Sequence, residues 1–343
     1  MGDRSLHYSA QDACVQVIDQ RKLPQVLEWA SLRELGEFSF AISHMQVRGA
    51  PLIGITAAYG LALALRQDPS LENLHRASAE LNAARPTAIN LAWALQRVRA
   101  AVVDCDPSER AGRALAEAAS IADEDVANCR AIGEHGLLLL RELAAAKNGA
   151  EVQVMTHCNA GWLAALEWGT ALAPIYLAQQ AGLSIHVWVS ETRPRNQGIN
   201  LTAWELQQAG INHTVIVDNA AGHLMQQGKV DCCLVGSDRT AANGDVCNKV
   251  GTYLKALAAR ANGLPFYVAL PLSTFDWDSA SGADIPIEER AAQEVLLGNG
   301  SSRAYNPAFD ITPAELVTAL ITERGIFAAE TSALNSLRAQ INL

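Results

Sequence analysis

No stretch of this chain is apolar for long enough to cross a bilayer. The longest apolar run, Leu52–Leu65, is interrupted by Thr56 and Tyr59, and it falls short of the roughly 18 to 20 residues a spanning helix needs. It reads as a core helix. No apolar leader core follows Met1-Gly2-Asp3-Arg4-Ser5, so no secretory signal is expected. Cys-x-x-Cys pairs are missing as well. The cysteines at 14, 105, 129, 158, 232, 233 and 247 are odd in number and scattered, which suits a reducing compartment rather than a disulfide framework. A soluble, cytoplasmic protein is the expectation. Charge is scarce at 18%, and the balance is acidic, with a net −10. That argues against a nucleic-acid or anionic-membrane surface, which would require a basic face. A small anionic ligand stays open, because a few Arg and Lys can converge locally. Also absent are Gly-x-Gly-x-x-Gly after a strand, a Walker A sequence, Gly-x-Ser-x-Gly, His-Glu-x-x-His and any clustered His/Cys set; these would signal dinucleotide, nucleotide, serine-hydrolase or metal chemistry. Neither cofactor nor metal is expected.

What is present is a chain of 343 residues, half of them hydrophobic, suited to about two domains that bury sizeable cores. Two extended stretches, Cys14–Ile18 and Gln25–Trp29, flank a turn-like Asp19–Pro24 and predict a small hairpin. From Ser31 to about Ala146 the apolar spacing is helical, with breaks near Asp68-Pro69-Ser70 and Asp104–Ser108. Asp106-Pro107-Ser108-Glu109 looks like a helix start, with the helix itself over Ala111–Ala127. The texture changes at Lys147-Asn148-Gly149-Ala150. Strand patterns at Val152–Thr156, Ile185–Ser190, Thr214–Val217, Cys232–Val235 and Phe266–Leu270 then alternate with helical ones at Trp162–Ala181, Leu201–Ala209, Ala221–Gln227 and Lys249–Ala261. Such alternation implies crossover units and a parallel, doubly wound sheet. Ile285–Leu343 reads as loop plus terminal helices. The fold class is therefore α/β: a mainly helical domain over 1–147 with a small β-hairpin, then a doubly wound parallel-sheet domain over 148–343.

Ligands of such sheets bind beyond the carboxyl ends of the strands. Two reactive side chains fall there, Cys158 after Val152–Thr156 and Asp238 after Cys232–Val235. A thiol between a strand end and a helix start meets unpaired N–H groups and the positive end of a dipole, which favour thiolate. Its bland alternative is a small buried apolar residue, but Cys158 lies past a strand, whereas Cys14, Cys232 and Cys233 lie within strands. The neighbouring His157 reads as a packing residue rather than half of a Cys–His pair. Asp238, desolvated by its apolar strand, suits a general acid; a helix cap or a partner for Arg239 is the even alternative. Asn248-Lys249 follows a turn at Asn243-Gly244 and reads as a helix start, placing an amide and an ammonium beside the same edge. Glu191-Thr192-Arg193-Pro194-Arg195-Asn196-Gln197-Gly198 could recognise a polyol or phosphate, or form a solvated turn whose arginines pair with acids of a neighbouring subunit. In the helical domain, Arg48-Gly49-Ala50 ahead of Leu52–Leu65 looks like a phosphate cradle. Arg85-Pro86-Thr87 reads as a second helix start, with Pro86 near the first position.

Taken together, QVRGAPLIGITAAYG, RPTAINLAWAL, THCNAG, ETRPRNQGINLTAWEL, VGSDRTAANGDVCNKVGTY and YNPAFDITPAELVTALITERG resemble one family, in its order, from residue 46 to residue 325. It is the family of the methylthioribose-1-phosphate isomerases and of the alpha, beta and delta regulatory subunits of a translation-initiation nucleotide-exchange factor. The resemblance implies a helical amino-terminal domain, a Rossmann-like carboxyl-terminal domain and a homodimer. It implies Asp238 as catalytic acid and Cys158 as its partner at the reacting carbon. Arg48, Gly49, Ala50, Arg85, Gln197, Asn248 and Lys249 match the substrate-binding positions. The implied reaction turns 5-methylthioribose 1-phosphate into 5-methylthioribulose 1-phosphate, in methionine salvage, with no cofactor and a small sugar phosphate as partner. An aldose phosphorylated at C1 is locked as a ring, so an acid must assist ring opening before hydrogen moves from C2 to C1, through a base or as a hydride. Rival expectations are an isomerase of 5-deoxyribose 1-phosphate or ribose 1,5-bisphosphate, and a non-catalytic regulatory subunit.

Overall fold

The computed structural model describes residues 4–296 and 302–340. Met1–Asp3, 297–301 and 341–343 lie outside the described residues, and with them the first residues of the segment read for a signal and the end of the expected terminal helices. The described chain forms two compact units. One holds the residues through Cys129 together with Trp162–Gly169; the other holds Arg130–Gly161 and the residues from Thr170 onward.

The first unit opens with an antiparallel meander of β1 (Leu6–Ser9), β2 (Cys14–Ile18) and β3 (Trp29–Leu32), in that spatial order. The expected strand over Gln25–Trp29 is displaced: pairing begins only at Trp29. Val26 and Leu27 are 53% and 52% exposed, and the Val26 N–H donates to the Lys22 carbonyl at 3.0 Å in a local turn. Their apolar character had no core to face. Four helices follow, α1 (Leu35–Ser43), α2 (Ala50–Gln67), α3 (Leu71–Ala84) and α4 (Ile89–Val102), and then the long α5 (Pro107–Ala146). Helix α2 is buried at every position from Leu52 to Leu65, as an all-round apolar helix must be. Helix α5 starts where expected, the Asp106 carboxylate accepting from the Ser108 N–H at 2.9 Å and its hydroxyl at 2.6 Å. It runs on to Ala146 rather than ending near Ala127, and its residues from Arg130 onward belong to the second unit. Gly133 and Gly136, which weaken an isolated helix, serve close packing here: a Cβ at Gly136 would lie 2.4 Å from Pro174.

The second unit contains, in chain order, β4 (Val152–Thr156), α6 (Ala173–Gln180), β5 (Ile185–Ser190), α7 (Ala203–Gln208), β6 (Asn212–Ile216), α8 (Ala220–Gln226) and β7 (Cys232–Val235). There follow β8 (Arg239–Ala241), β9 (Val246–Lys249), α9 (Thr252–Ala261), β10 (Phe266–Ala269), β11 (Phe275–Asp276), β12 (Phe309–Thr312), β13 (Ala319–Thr322), β14 (Gly325–Phe327) and α10 (Thr331–Gln340). The main sheet has the order β14-β13-β10-β7-β4-β5-β6. All its pairs are parallel except β13 with β14. Counting only its parallel strands, the order is third, second, first, fourth, fifth, sixth, the arrangement of dinucleotide-binding sheets. A smaller sheet, β11-β8-β9-β12, carries the β8–β9 hairpin.

Three local expectations are corrected. Trp162–Ala181 is not one helix: Trp162–Ala164 is a single 3-10 turn belonging to the first unit, and α6 begins only at Ala173. The Leu, Ala and Trp of this stretch are buried through tertiary packing and not along a helical face. Asn248-Lys249 ends strand β9, and α9 starts three residues later. The described residues of Ile285–Leu343 contain three strands besides α10; β12 and β13 pair with strands far back in the chain (β9 and β10), which local periodicity cannot reveal, and β14 pairs with β13.

Candidate active site

Strand order in the main sheet reverses between β4 and β7, which are parallel neighbours in the register Val154↔Cys232 and Met155↔Cys233. Their carboxyl ends are tied where Thr156 Oγ1 donates to the Leu234 carbonyl at 2.8 Å. Cys158 follows β4 by two residues. It is 6% exposed and has a left-handed backbone, φ 63°, a conformation that costs a non-glycine residue about 1–2 kcal/mol. Threonines on either side hold it there. The Cys158 N–H donates to Thr192 Oγ1 at 2.9 Å, and its carbonyl accepts from Thr202 Oγ1 at 2.7 Å. Thr192 in turn donates to the Ser190 carbonyl at 2.9 Å.

Asp218, two residues past β6, organises this loop. Its carboxylate accepts from the Ser190 hydroxyl at 2.5 Å, the Thr192 N–H at 2.8 Å and the Arg193 N–H at 2.7 Å. Burial raises its pKa, but these donors outweigh burial and hold the group below the ordinary carboxylate value. On the other side, the Asn159 amide donates to Glu205 Oε1 at 2.7 Å, while Tyr176 donates to Glu205 Oε2 at 2.7 Å. Glu205 is completely buried. Gly161 is required beside it, since a Cβ there would sit 1.8 Å from Glu205 Oε2.

Asp238 follows β7 by three residues and is half-buried. No helix starts at it: strand β8 follows directly, and the neighbouring Arg239 reaches Asp276, with Nε and Nη2 donating to Oδ2 at 2.8 and 2.5 Å. Asp238 enters the β8–β9 hairpin, its N–H donating to the Cys247 carbonyl at 3.0 Å. Arg239 pairs with Cys247 in that hairpin, so one step outward Asp238 faces Asn248. Asn248 and Lys249 are 5% and 6% exposed. The Asn248 amide donates to Thr252 Oγ1 at 3.0 Å, and the Lys249 ammonium lies 4.8 Å from the centre of the Phe309 ring. Asp310, opposite Asn248 on β12, accepts from the Gly251 and Tyr253 N–H groups at 2.6 and 3.2 Å. Burial, opposed by those donors, pushes its carboxyl up to about 6.

Gln197 ends the loop after β5, on the same sheet edge. It is 5% exposed, and its Oε1 meets no donor among the described residues; nor does Asn196 Oδ1. A buried amide oxygen without a donor costs about 1–3 kcal/mol. The two arginines of that loop are engaged within the chain: Arg195 pairs with Glu294 at 2.8 Å, and Arg193 donates to the Pro194 carbonyl at 2.9 Å.

Cys158, Asp238, Gln197, Asn248 and Lys249 thus share one edge of the second unit. Arg48, Gly49, Ala50 and Arg85 belong to the first. Gly49 precedes α2 with φ 100°, and a Cβ there would lie 2.4 Å from Ala164 Cα, so only glycine fits. No acidic residue occupies the first turn of α2, which leaves its positive end open to an anion. Arg85 does not start a helix as expected. It terminates α3, Pro86-Thr87 forms a turn closed by the Ala88 N–H on the Arg85 carbonyl at 3.0 Å, and α4 begins at Ile89. Asp218, Glu205 and Asp310 were missed by sequence reasoning. Asp218 alone carried a signal, a carboxylate just past a strand, as at Asp238. No group of His, Cys, Asp and Glu among the described residues is arranged to hold a metal ion.

Residues 46–329 match the model of the initiation factor 2 subunit family. The chain is 58% identical to a protein named methylthioribose-1-phosphate isomerase from Methylorubrum populi, covering 97% of this chain and 96% of that one. It is also 58% identical to one of the same name from Acidiphilium cryptum, covering 94% and 92%. Among solved structures, 5-methylthioribose 1-phosphate isomerase from Pyrococcus horikoshii OT3 matches with a TM-score of 0.87 at 38% identity, over 99% of this chain and 96% of that one. Translation initiation factor eIF-2B, subunit delta, from A. fulgidus matches with a TM-score of 0.80 at 40% identity, over 95% and 96%.

Proposed function

Since the chain belongs to the initiation factor 2 subunit family, and within it to the methylthioribose-1-phosphate isomerases, we propose that it converts 5-methylthioribose 1-phosphate to 5-methylthioribulose 1-phosphate, a step of methionine salvage. The observation that carries the reading is the placement of Cys158 and Asp238 past the two strands that flank the sheet's reversal, where ligands of such sheets bind. Asp238 protonates the ring oxygen as its bond to C1 breaks, the step that phosphorylation at C1 otherwise blocks. The hydrogen on C2 then reaches C1, either as a proton by way of Cys158 or directly as a hydride. On both routes the C2 hydroxyl loses its proton and the C2 ketone forms. Cys158, buried and fixed in a left-handed turn, stands at the reacting carbons as base or as stabiliser of the charge that develops there.

Gln197 supplies an acceptor for a sugar hydroxyl, which supports its role because its buried oxygen has no donor among the described residues. Asn248 and Lys249 bind the substrate beside Asp238, the ammonium suiting a phosphate. Arg48, Gly49, Ala50 and Arg85 are assigned to substrate binding by their match to the family's sequence. The enzyme is read as cytoplasmic and homodimeric, working without a cofactor. Tyr253, Leu254 and Leu257, exposed by 36%, 64% and 39% on α9, suit contact with a second copy. No helix among the described residues is long and apolar enough to cross a membrane.

The test is turnover of purified protein with 5-methylthioribose 1-phosphate, 5-deoxyribose 1-phosphate and ribose 1,5-bisphosphate, with the ketose product followed by NMR. Conversion of the first in preference to the others supports the reading. Preference for either of the others moves the substrate, and conversion of none replaces the enzyme with a regulatory, protein-binding role.

A further inference from the structure

His157 has no part in the chemistry above, yet it is 1% exposed and lies between the two turns that carry it. Burial and the nearby Lys255 and Lys249 ammonium groups lower its pKa to about 3, against the Val250 carbonyl and the Asp218 carboxylate. The imidazole is therefore neutral at physiological pH, with one N–H. That hydrogen is on Nε2, because the partner of Nε2, at 2.8 Å, is the Val250 carbonyl, which can only accept. Val250 belongs to the turn joining β9, with Asn248 and Lys249, to α9. A Cβ at Gly251 would lie 3.2 Å from His157 Nε2, so the turn passes close over the ring. On the ring's other side, Nδ1 lies 3.4 Å from Thr192 Oγ1 and 4.0 Å from Asp218 Oδ1. Thr192 Oγ1 is the atom that accepts the Cys158 N–H.

We propose that His157 is a positioning residue that fixes the Cys158 turn relative to the Asn248–Lys249 turn through its Nε2–H bond to the Val250 carbonyl. The inference rests on reading Cys158, Asn248 and Lys249 as site residues. His157 is buried, with both ring nitrogens facing protein atoms; it sets the separation between the group at the reacting carbons and the groups that hold the ligand. Losing the bond removes this tie between the two turns, and a misplacement of about 1 Å costs on the order of 100-fold in rate. The Nε2–H of histidine is reproduced in reach and direction by the side-chain amide of glutamine and not by leucine.

The experiment compares His157→Leu and His157→Gln with the wild type, measuring kcat and KM for 5-methylthioribose 1-phosphate on folded, active-site-counted protein. The expected result for His157→Leu is a kcat lower by roughly 10- to 100-fold together with a raised KM, and His157→Gln should return to within a few-fold of wild type. A wild-type kcat and KM in His157→Leu, or His157→Gln as impaired as His157→Leu, would overturn the proposal. A second measurement needs neither variant nor turnover: 15N NMR of the wild-type histidines at pH 7 should show His157 as the neutral Nε2–H tautomer. A neutral Nδ1–H tautomer or an imidazolium at that position overturns the proposal even if the variants fail to fold. If the wild type converts no sugar phosphate, it is the functional reading that fails, and the tautomer still tests the bond.

Discussion

Cys158 and Asp238 stand two and three residues beyond β4 and β7, parallel neighbours on either side of the point where the strand order reverses. The chain between them builds β5, β6 and three helices on one side of that point before returning to place β7 beside β4. Ligands of sheets with this topology bind in the crevice at the strand ends, and the two residues follow the strands on either side of that point. The proposed reaction, which protonates one atom of a sugar ring while hydrogen moves between two others, calls for an acid and a second reactive group at that edge.

Asp238→Asn tests the acid. The amide keeps the shape and the hairpin bond of the main chain to Cys247 but has no proton to give. The expected outcome is a kcat lower by about 10²- to 10⁴-fold, with binding of the ketose product, measured by calorimetry, changed little. A near-normal kcat would remove Asp238 from the acid's role and reopen the assignment to another group at that edge.

Cys158 can be tested in two ways. Cys158→Ala leaves the left-handed turn and its two threonine bonds in place, since those use main-chain atoms, so a loss of turnover reports on the thiol itself. Turnover of the wild type in D2O then separates the two routes. Deuterium at C1 of the ketose, seen by NMR, is expected if a base exchanges the C2 proton with solvent. Its complete absence, together with a kcat for Cys158→Ala within a few-fold of wild type, would eliminate the thiol as base.

The parallel strands were legible as short runs rich in apolar and β-branched residues, unbroken in β7, which is buried at every position: β4, β5 and β7 fall where the sequence placed them, and β6 and β10 within two residues. Cys158 and Asp238 were legible for the same reason, as polar residues where such runs stop. The residues that orient them were not. Thr192, Thr202, Asp218, Glu205 and Asp310 act through hydrogen bonds to positions about 26 to 59 residues away, and each except Asp218 looks in the sequence like an ordinary polar residue of a loop, helix or short strand. The register of β9 against β12 was hidden likewise, so Asn248-Lys249 passed for a helix start although it ends a buried strand. Trp162–Ala181 failed differently: its composition is helical, and its first residues are recruited into the first unit.

Gln197 offers a trade between stability and binding. Its buried Oε1 has no donor among the described residues, so Gln197→Leu removes a desolvated acceptor from the fold. Thermal unfolding of the variant without substrate is expected at or above the wild-type midpoint. KM for the sugar phosphate should rise roughly tenfold, the ~1.4 kcal/mol of one buried hydrogen bond. Lys249→Ala should likewise act mainly on KM for phosphorylated ligands. A destabilised Gln197→Leu with unchanged KM would make this glutamine a structural residue.

A pH dependence is built into the first unit at Asp125. The residue is 8% exposed on α5, its Oδ2 accepts from the Leu166 N–H at 3.2 Å, and Cys129 Sγ donates to Oδ1 at 3.8 Å. Burial outweighs both donors and pushes the carboxyl from an ordinary 3.8 up to about 7. Between about pH 4 and pH 7 the folded state holds a proton that the unfolded chain has released. The contribution is therefore fully present below pH 4 and is lost as pH rises through 7, by an amount on the order of 4 kcal/mol. Carboxylates such as Asp218 and Asp276, held below the ordinary value, act with the opposite sign and only at lower pH. Asp125→Asn keeps an acceptor for Leu166 and cannot ionise. Its unfolding midpoint should match the wild type near pH 4 and exceed it at pH 8, the gap opening across the interval between. Midpoints of the two proteins that run parallel from pH 4 to pH 8 would mean that Asp125 is ionised in the folded state and that its burial is relieved by a route other than protonation.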